Sequence, residues 1–389
     1  MDPKWTEGNE LNYLKEVLEN SDEVRKNPFT DRLEKAFINK YNVKFAIALN
    51  SGASGLHAAM VACNVQPGDE VITSPFSVLW DAAIALIMGA KVKFADVKYG
   101  THNIDAEKVE KLITNKTKAI IPVSYHGLPC DIDELNKVGK KYNIPIIEDN
   151  AQTHLGEYKG RLVGTQSDFS MFSLERTKHI ACHEGGVILT NNDKLATIAR
   201  KFSGGGFVNL TADKSKLAGV IPQQFQSPDY KRHDMLGLNY RISEFQAAVA
   251  LAQFEKVEEK VQIRRDIAEI YNKLFSKFEN FEPQEVPKDY KHSYFTYSVK
   301  SPFKELRKWK SFYNHHVENG GDTFYAMMST VYEEEVMKKH SDYKIWQNSC
   351  PITEEIQPRC ILFKTNYRSL EEAEKNILIL ENSLKKYKF

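Results

Sequence analysis

The chain has 389 residues, a formal net charge of +1, 42% hydrophobic residues and 27% charged residues. These values are typical of a soluble globular protein with a large domain and room for a smaller second one. Because the charge is nearly balanced, nothing in the composition favours nucleic acid or an anionic membrane as a partner, and we expect neither.

The N-terminal residues contain no basic segment followed by an apolar stretch, so no signal peptide is predicted. The longest apolar run, residues 82–88, is too short to cross a bilayer. The five cysteines are widely spaced and form neither a C-x-x-C pair nor a zinc pattern, so no metal site is predicted. We therefore expect a cytoplasmic protein with reduced thiols.

Short apolar runs alternate with helical segments through the first half of the chain. Two helices are predicted within residues 9–40. Strands are predicted at residues 43–49, 71–73, 92–95, 119–123, 145–149, 169–172 and 187–190, and helices at residues 56–63, 79–88, 105–112 and 132–142. This alternation predicts a parallel sheet covered by helices on both faces. No G-x-G-x-x-G follows the first strand, so a dinucleotide-binding fold has little support.

The second half has a different organisation. Residues 203–235 lack any period and predict a long loop that becomes ordered on binding. Ser243 and Gln246 form a capping-box pattern at the start of a long helix, residues 244–275, whose apolar stripe we interpret as core. Its stripe comprises Phe245, Ala248, Ala252, Val257, Val261, Ile267 and Ile270.

Beyond this helix, strands are predicted at residues 293–299 and 359–364, and a closing helix at residues 369–385. The sequence thus predicts a large domain, residues 1–250, followed by a linking helix and a small C-terminal α+β domain, residues 251–389.

Three features point to one chemistry. Gly52 lies in a small-residue turn after the first strand, Asp149 ends a strand, and Lys178 lies between two strands. Ligands of open parallel sheets bind at the carboxyl ends of the strands, where all three features fall. Pyridoxal phosphate needs an anion site, a carboxylate for its ring nitrogen and an amine, so this set predicts that cofactor. Taken singly, Lys178 also fits a polar turn and Asp149 a helix N-cap.

Several ordered motifs resemble the DegT-type sugar aminotransferase family of fold-type I pyridoxal-phosphate enzymes. They comprise residues 50–57, 67–72, 148–152, 172–186 and 237–246. The resemblance implies a three-layer α/β fold with a mostly parallel central sheet and a smaller C-terminal α+β domain.

The resemblance also implies a role for each matching position. Lys178 is then the Schiff-base lysine, Asp149 pairs with the pyridine nitrogen and Gln152 lies against the ring. The phosphate is held by Gly52, Ala53 and Ser173, although a satisfied buried hydroxyl is an alternative reading of Ser173. Asn239 reaches the phosphate of the neighbouring subunit's cofactor, so a homodimer with shared active sites is implied.

Some positions depart from the family pattern. Ala53 stands where the family has a threonine, and Ser54 is the candidate to replace that hydroxyl. Val78 stands where the family has the aromatic residue that stacks on the pyridine ring. Phe76 or Trp80 could supply a ring instead, although Trp80 could equally be an ordinary core residue. Further departures lie where substrate selection would occur.

The resemblance implies an aminotransferase that moves an amino group from L-glutamate to a keto sugar, expected to be a nucleotide-linked 4-keto-6-deoxy hexose. A keto-inositol acceptor and L-glutamine as donor stay open. Because His179 follows Lys178, a sugar 3-dehydratase of the same family, which carries His in place of the lysine, is one alternative. A non-catalytic relative that binds the cofactor is another.

Overall fold

A computed structural model describes residues 8–20, 24, 26–213, 223, 226–326 and 329–389. Its strands are β1 Phe45–Leu49, β2 Glu70–Thr73, β3 Lys91–Phe94, β4 Thr117–Ile121, β5 Ile147–Asp149, β6 Glu157–Tyr158, β7 Arg161–Leu162, β8 Phe169–Ser173, β9 Gly186–Thr190, β10 Glu282–Pro283, β11 Tyr290–Lys291, β12 Tyr297–Lys300, β13 Tyr325–Ala326 and β14 Cys360–Phe363. Its helices are α1 Glu10–Glu19, α2 Phe29–Tyr41, α3 Gly52–Ala62, α4 Trp80–Ile87, α5 Ala106–Leu112, α6 Ile132–Tyr142, α7 Asp193–Ser203, α8 Glu244–Phe254, α9 Val257–Phe275, α10 Leu306–Glu318, α11 Glu335–Lys338, α12 Tyr343–Trp346, α13 Pro351–Ile356 and α14 Leu370–Lys386.

The central sheet has the strand order β3-β2-β4-β5-β8-β9-β1. Isolated parallel bridges, Ile120 with Ile146 and Val123 with Asp149, join β4 to β5. Among the described strands of this sheet, β9 alone runs in the direction opposite to the other six. The predicted mostly parallel sheet is therefore confirmed.

The side chains of each central strand alternate between two layers of helices. In β1, Ile47 and Leu49 pack in a core with α3, whereas Ala46 and Ala48 pack in a second core with α2 and α8. The sheet thus lies between two helical layers, as the three-layer fold predicts. This arrangement leaves the carboxyl ends of the parallel strands as one edge, where the predicted site residues lie.

The C-terminal part has its own antiparallel sheet, of order β10-β12-β14-β13. A separate aromatic-rich core joins this sheet to α9, α10 and α14. The α+β character predicted for this part is confirmed, while the domain division after residue 250 stays a prediction.

The predicted long helix over residues 244–275 is wrong in one respect, because it is two helices. Its capping box is present, since the Ser243 hydroxyl accepts the Gln246 N–H at 3.2 Å. Lys256, with φ −112° and ψ 9°, breaks the helix between α8 and α9. Phe245 does not belong to the core, because its side chain is 48% exposed.

The predicted strand at residues 293–299 begins only at Tyr297. Tyr294 has a φ of +48°, which no strand residue adopts. The preceding segment bonds elsewhere, since the N–H of Ser293 donates to the Gly127 carbonyl at 2.8 Å. This contact ties the segment before the C-terminal sheet to the edge of the central sheet.

The predicted loop over residues 203–235 lies partly outside the described residues, which omit 214–222 and 224–225. Within its described parts, an isolated bridge pairs Phe207 with His233, and a second bridge pairs Gly204 with Asn239, just beyond the predicted loop. Within the described part of the chain, no helix is long and apolar enough to cross a membrane.

Candidate active site

An anion-binding helix terminus follows the first central strand. The Ser51 hydroxyl accepts the Ser54 N–H at 3.0 Å, and the Ser54 hydroxyl accepts the Ser51 N–H at 3.2 Å in return. This reciprocal cap starts α3 at Gly52, four residues before the predicted start at residue 56. The N–H groups of Gly52 and Ala53, at the first helical positions, have no intrahelical acceptor and are available to an anion.

Gly52 brings this helix terminus against the end of β8. A methyl group at Gly52 would lie 2.9 Å from the Met171 sulfur and 3.3 Å from the Ser173 Cβ. Only a residue without a side chain allows this approach. The free N–H groups of α3 and the side chain of Ser173 are therefore close neighbours, an arrangement that suits a phosphate group.

A buried carboxyl group lies at the end of the neighbouring strand. Asp149, the last residue of β5, is 3% exposed, and its Oδ1 accepts the Ala151 N–H at 2.8 Å. Burial raises the pKa of Asp149. A cationic partner would stabilise its ionised form, and a protonated ring nitrogen would provide such a partner.

Gln152 connects two loops of this edge. Its Oε1 accepts the N–H of His126 at 2.8 Å, and the side chain is half-buried. His126 has a φ of +61° in the turn after β4. The Gln152 amide thus braces a strained turn beside Asp149, and its predicted contact with a cofactor ring stays a prediction.

The sequence analysis missed a second carboxyl group, that of Asp81. In the first turn of α4, Asp81 is 1% exposed and lies within hydrogen-bonding reach of Asp149, whereas the neighbouring Trp80 is 57% exposed. The available signal was an acidic residue inside the apolar stretch of residues 79–88, since an acid that such a stretch buries almost always has a partner.

Lys178 lies in the loop between β8 and β9, with its Nζ 4.4 Å from the centroid of the Phe295 ring. Burial lowers the pKa of Lys178, and the nearby positive Arg264 lowers it further, although Asp149 and Glu175 oppose the shift. A lowered pKa increases the fraction of neutral amine, which is the nucleophilic and basic form.

Two buried histidines hold the lysine loop on either side of Lys178. His154 Nε2 donates to the Ser173 carbonyl at 3.0 Å, and His179 Nε2 donates to the Ser293 carbonyl at 2.9 Å. Burial lowers the pKa of His154 to about 4 and keeps the pKa of His179 well below its usual range. Both rings are therefore neutral donors that position the loop.

The other predicted residues lie around this centre in different ways. The Ser54 hydroxyl donates to the Ser51 carbonyl at 2.8 Å, so it is occupied by the helix cap. Ala53 is half-buried and packs on the core beneath α3. Asn239 is exposed, and its Oδ1 accepts the Arg241 N–H at 3.4 Å. Trp80 and Asn239 stay predictions as cofactor contacts.

The site fits pyridoxal phosphate in each of its chemical parts. A helix N-terminus with free N–H groups beside Ser173, a buried carboxyl group and a half-buried lysine whose pKa is lowered by burial lie along one edge of the sheet. Among the described residues, no group of three or more acidic, histidine or cysteine side chains could hold a metal ion.

Comparison with known proteins identifies the family. The model of the DegT/DnrJ/EryC1/StrS aminotransferase family matches residues 5–378. The chain belongs to this family. It is accordingly a pyridoxal-phosphate-dependent aminotransferase related to enzymes of amino sugar biosynthesis.

Two relatives from this family are GDP-perosamine synthases. The chain is 35% identical to the enzyme of Caulobacter vibrioides over 274 residues, which are 70% of this chain and 69% of the relative. It is 31% identical to the enzyme of Escherichia coli O157:H7 over 301 residues, 77% of each chain. An uncharacterised protein of Methanocaldococcus jannaschii is 35% identical over 292 residues, 75% of this chain and 73% of the relative.

Solved structures confirm the fold. An aminotransferase of Helicobacter pylori involved in pseudoaminic acid biosynthesis superposes with a TM-score of 0.85, at 23% identity, covering 99% of this chain and 98% of the other. A 3-amino-5-hydroxybenzoic acid synthase superposes equally well, with a TM-score of 0.85 at 23% identity, covering 100% and 99% of the two chains. At this identity, the likeness establishes the three-layer fold-type I architecture.

Proposed function

We propose that this aminotransferase moves an amino group from L-glutamate to the keto group of a nucleotide-linked 4-keto-6-deoxy hexose. The observation that carries the catalytic part is the placement of Lys178 and the buried Asp149 at the edge of the sheet where Gly52 brings the N-terminus of α3 against Ser173. The acceptor rests on similarity to GDP-perosamine synthases over about two thirds or more of each chain.

The phosphate pocket provides the anchor for the cofactor. The N–H groups of Gly52 and Ala53 and the hydroxyl of Ser173 would bind the phosphate, helped by the dipole of α3. Asp149 would hold the proton on the ring nitrogen. When bound, pyridoxal phosphate supplies an electron sink for the bond that breaks next to the amino nitrogen.

Lys178 is the proposed attachment and proton-transfer residue. Its amine would join the cofactor carbonyl when no substrate is bound, and would move the proton at the substrate carbon once the substrate has displaced it. Hydrogen bonds from His154 to the Ser173 carbonyl and from His179 to the Ser293 carbonyl hold the loop on either side of the amine. Arg264 is fixed behind this loop, because its Nη1 donates to the Phe295 carbonyl at 2.8 Å.

His179 does not favour the dehydratase alternative. Its ring is 1% exposed, its Nε2 is bonded to the Ser293 carbonyl, and the ring packs against His154 and Phe295. This environment suits a structural donor. Lys178, half-buried and beside Asp149, is placed to act as the lysine that an aminotransferase needs.

The same proposal includes a homodimer with shared active sites. Asn239 lies beside Leu236, which is 94% exposed, and Leu238, which is 45% exposed. Two exposed leucines next to a polar side chain suit a surface that a second copy of this chain covers. Asn239 would then reach the cofactor phosphate bound by the partner.

The absorption spectrum of the protein with pyridoxal phosphate tests the proposal. We expect a visible band from lysine-bound cofactor, its loss on addition of L-glutamate, and its return with a nucleotide-linked 4-keto-6-deoxy hexose. Lys178→Ala should abolish the band and turnover, while the same change at the exposed Lys194 should preserve both. Turnover by Lys178→Ala would refute the role of the lysine, and a band insensitive to L-glutamate would refute the donor.

A further inference from the structure

Two buried carboxyl groups meet behind the proposed cofactor pocket. Asp81 is 1% exposed and Asp149 is 3% exposed, and each lies within hydrogen-bonding reach of the other. Asp149 is the carboxyl group assigned above to the ring nitrogen. Asp81 has no role in the proposed chemistry, and it is the single charged residue of α4, which is otherwise apolar.

The hydrogen bonds of Asp81 are incomplete. Its Oδ2 accepts the Ser77 hydroxyl at 3.0 Å, but its buried Oδ1 has no donor among the described residues. An ionised carboxylate would thus leave a buried charged oxygen facing a second carboxylate, which is strongly unfavourable. A proton on Asp81 removes both problems, because the carboxylic acid can donate to Asp149.

We propose that Asp81 is a protonated positioning residue that donates a hydrogen bond to the Asp149 carboxylate, so that the two groups share one proton. The Asp81 proton stays on the pair throughout the reaction and orients the carboxylate toward the ring nitrogen of the cofactor. The proton sharing itself is a property of the protein alone. Only its consequence for the cofactor rests on the proposed function.

The surroundings of the pair support this assignment. Three titratable groups interact with the pair: Tyr125 and Cys130, from the segment after β4, and Lys178, from the loop after β8. Burial raises the pKa values of Tyr125 and Cys130 beyond the neutral range, so both are uncharged. Lys178 acts on Asp149, whose charge it stabilises. The proton therefore belongs to Asp81, because none of the main influences on Asp81 among the described residues is a cation, whereas Asp149 has Lys178.

The sign of the pH effect follows from the direction of the pKa shift. Burial, and then the charge of Asp149, raise the pKa of Asp81 well above the ordinary value of 3.8. The folded protein therefore binds this proton more tightly than the unfolded chain does. The stability that Asp81 provides is complete below about pH 4 and decreases as the pH rises toward its folded pKa.

Unfolding of the cofactor-free protein between pH 4 and pH 9 tests the shared proton. Asp81→Asn keeps the size and a neutral donor but cannot ionise. Asp149 is present in both proteins, so the difference between their free energies of unfolding reports the proton that Asp81 binds. We expect the folding constant of the variant, relative to wild type, to rise by up to about tenfold per pH unit above pH 4 until the folded pKa is passed. A ratio that is constant with pH would overturn the proposal.

A second acid provides the matched control. Asp96 is 4% exposed, but both its oxygens accept hydrogen bonds, from the N–H groups of Ile352 and Thr353 among others. Asp96→Asn should therefore be less stable than wild type, with no gain toward alkaline pH. A protonated-carboxyl band in the infrared spectrum at pH 7, present in wild type and absent in Asp81→Asn, is the independent readout. Its absence in wild type would also overturn the proposal.

Cofactor binding tests the positioning role separately. Pyridoxal phosphate should bind Asp81→Asn within a few-fold of wild type, because the amide still donates to Asp149. Asp81→Leu lacks a donor and should bind the cofactor about tenfold more weakly, corresponding to one hydrogen bond to a charged group. Equal affinity of both variants would overturn the positioning role. Failure of wild type itself to bind pyridoxal phosphate would instead refute the proposed function and leave the shared proton standing.

Discussion

Gly52 and Gly55 offer a direct test of the phosphate pocket, because they occupy the same helix and pack against the same strand. A methyl group added at either glycine meets its nearest atom at 2.9 Å, the Met171 sulfur for Gly52 and the Ile188 Cγ2 for Gly55. Only the methyl at Gly52 also approaches Ser173, at 3.3 Å from its Cβ. Both alanine substitutions therefore crowd the core, but only Gly52→Ala also places a methyl group next to the proposed phosphate site.

The stability cost should be larger at Gly55. Overpacking costs about 1–3 kcal/mol, and the higher helix propensity of alanine returns up to about 1 kcal/mol. At Gly52 the crowded atom is the flexible thioether of Met171, so the net cost should be about 1 kcal/mol or less. At Gly55 the crowded atom belongs to the branched Ile188 side chain, which is stiff, so about 2 kcal/mol is expected.

Cofactor affinity should follow the opposite order. A methyl between the terminus of α3 and Ser173 removes about one hydrogen bond to a charged phosphate, worth about 1.5–3 kcal/mol, or about 10- to 100-fold in affinity. We expect this loss in Gly52→Ala and nearly wild-type affinity in Gly55→Ala. Thermal unfolding without cofactor and a titration with pyridoxal phosphate measure the two quantities. If Gly55→Ala loses affinity as much as Gly52→Ala, or if neither loses any, the assigned pocket is wrong.

Two further changes test the fold and the proposed dimer. Arg200 and Glu34 form a buried bidentate pair, with N–O distances of 3.0 and 2.9 Å. Arg200→Ala should therefore lower the free energy of unfolding, measured with denaturant, by about 3–5 kcal/mol. A decrease below about 1 kcal/mol, as for an exposed pair, would contradict burial of the pair. The Lys178→Ala and Asn239→Asp variants should each be inactive, the first without the lysine and the second because the new carboxylate repels the phosphate. When the two are mixed, half of the randomly formed dimers carry one intact site, so about a quarter of wild-type activity should return. No recovery would contradict shared sites.

Local patterns predicted the parts of the site that depend on short stretches of chain. Gly52, Asp149 and Ser173 each follow a strand whose apolar run is recognisable, and parallel strands necessarily bring their carboxyl ends to one edge. The start of α3 was predicted late because residues 50–55 have a turn-like composition. The structure shows that the small residues there serve a reciprocal cap and close packing instead.

Contacts between distant segments were not predictable from such patterns. Asp81 meets Asp149 only because α4 returns to the carboxyl edge of the sheet, and no periodicity encodes that meeting. The left-handed conformation of Tyr294 is likewise imposed from outside, by the bond between Ser293 and the Gly127 carbonyl. An alternating pattern in residues 293–299 therefore predicted a strand that tertiary contacts shorten.

The histidines near the site clarify which groups can change charge during the reaction. His126 and His154 have pKa values lowered by burial to about 3 and about 4, and the pKa of His179 lies well below its usual range. None of the three gains a proton near neutral pH, so they contribute fixed donors and no charge. Burial lowers the pKa of Lys178 and raises the pKa values of Asp81 and Asp149. The difference between the lysine pKa and the carboxyl pKa values is therefore smaller than in the unfolded chain. These three histidines should therefore not contribute to a pH dependence of amino transfer in the neutral range, and replacing His154 with a neutral donor of similar shape should leave its midpoints unchanged.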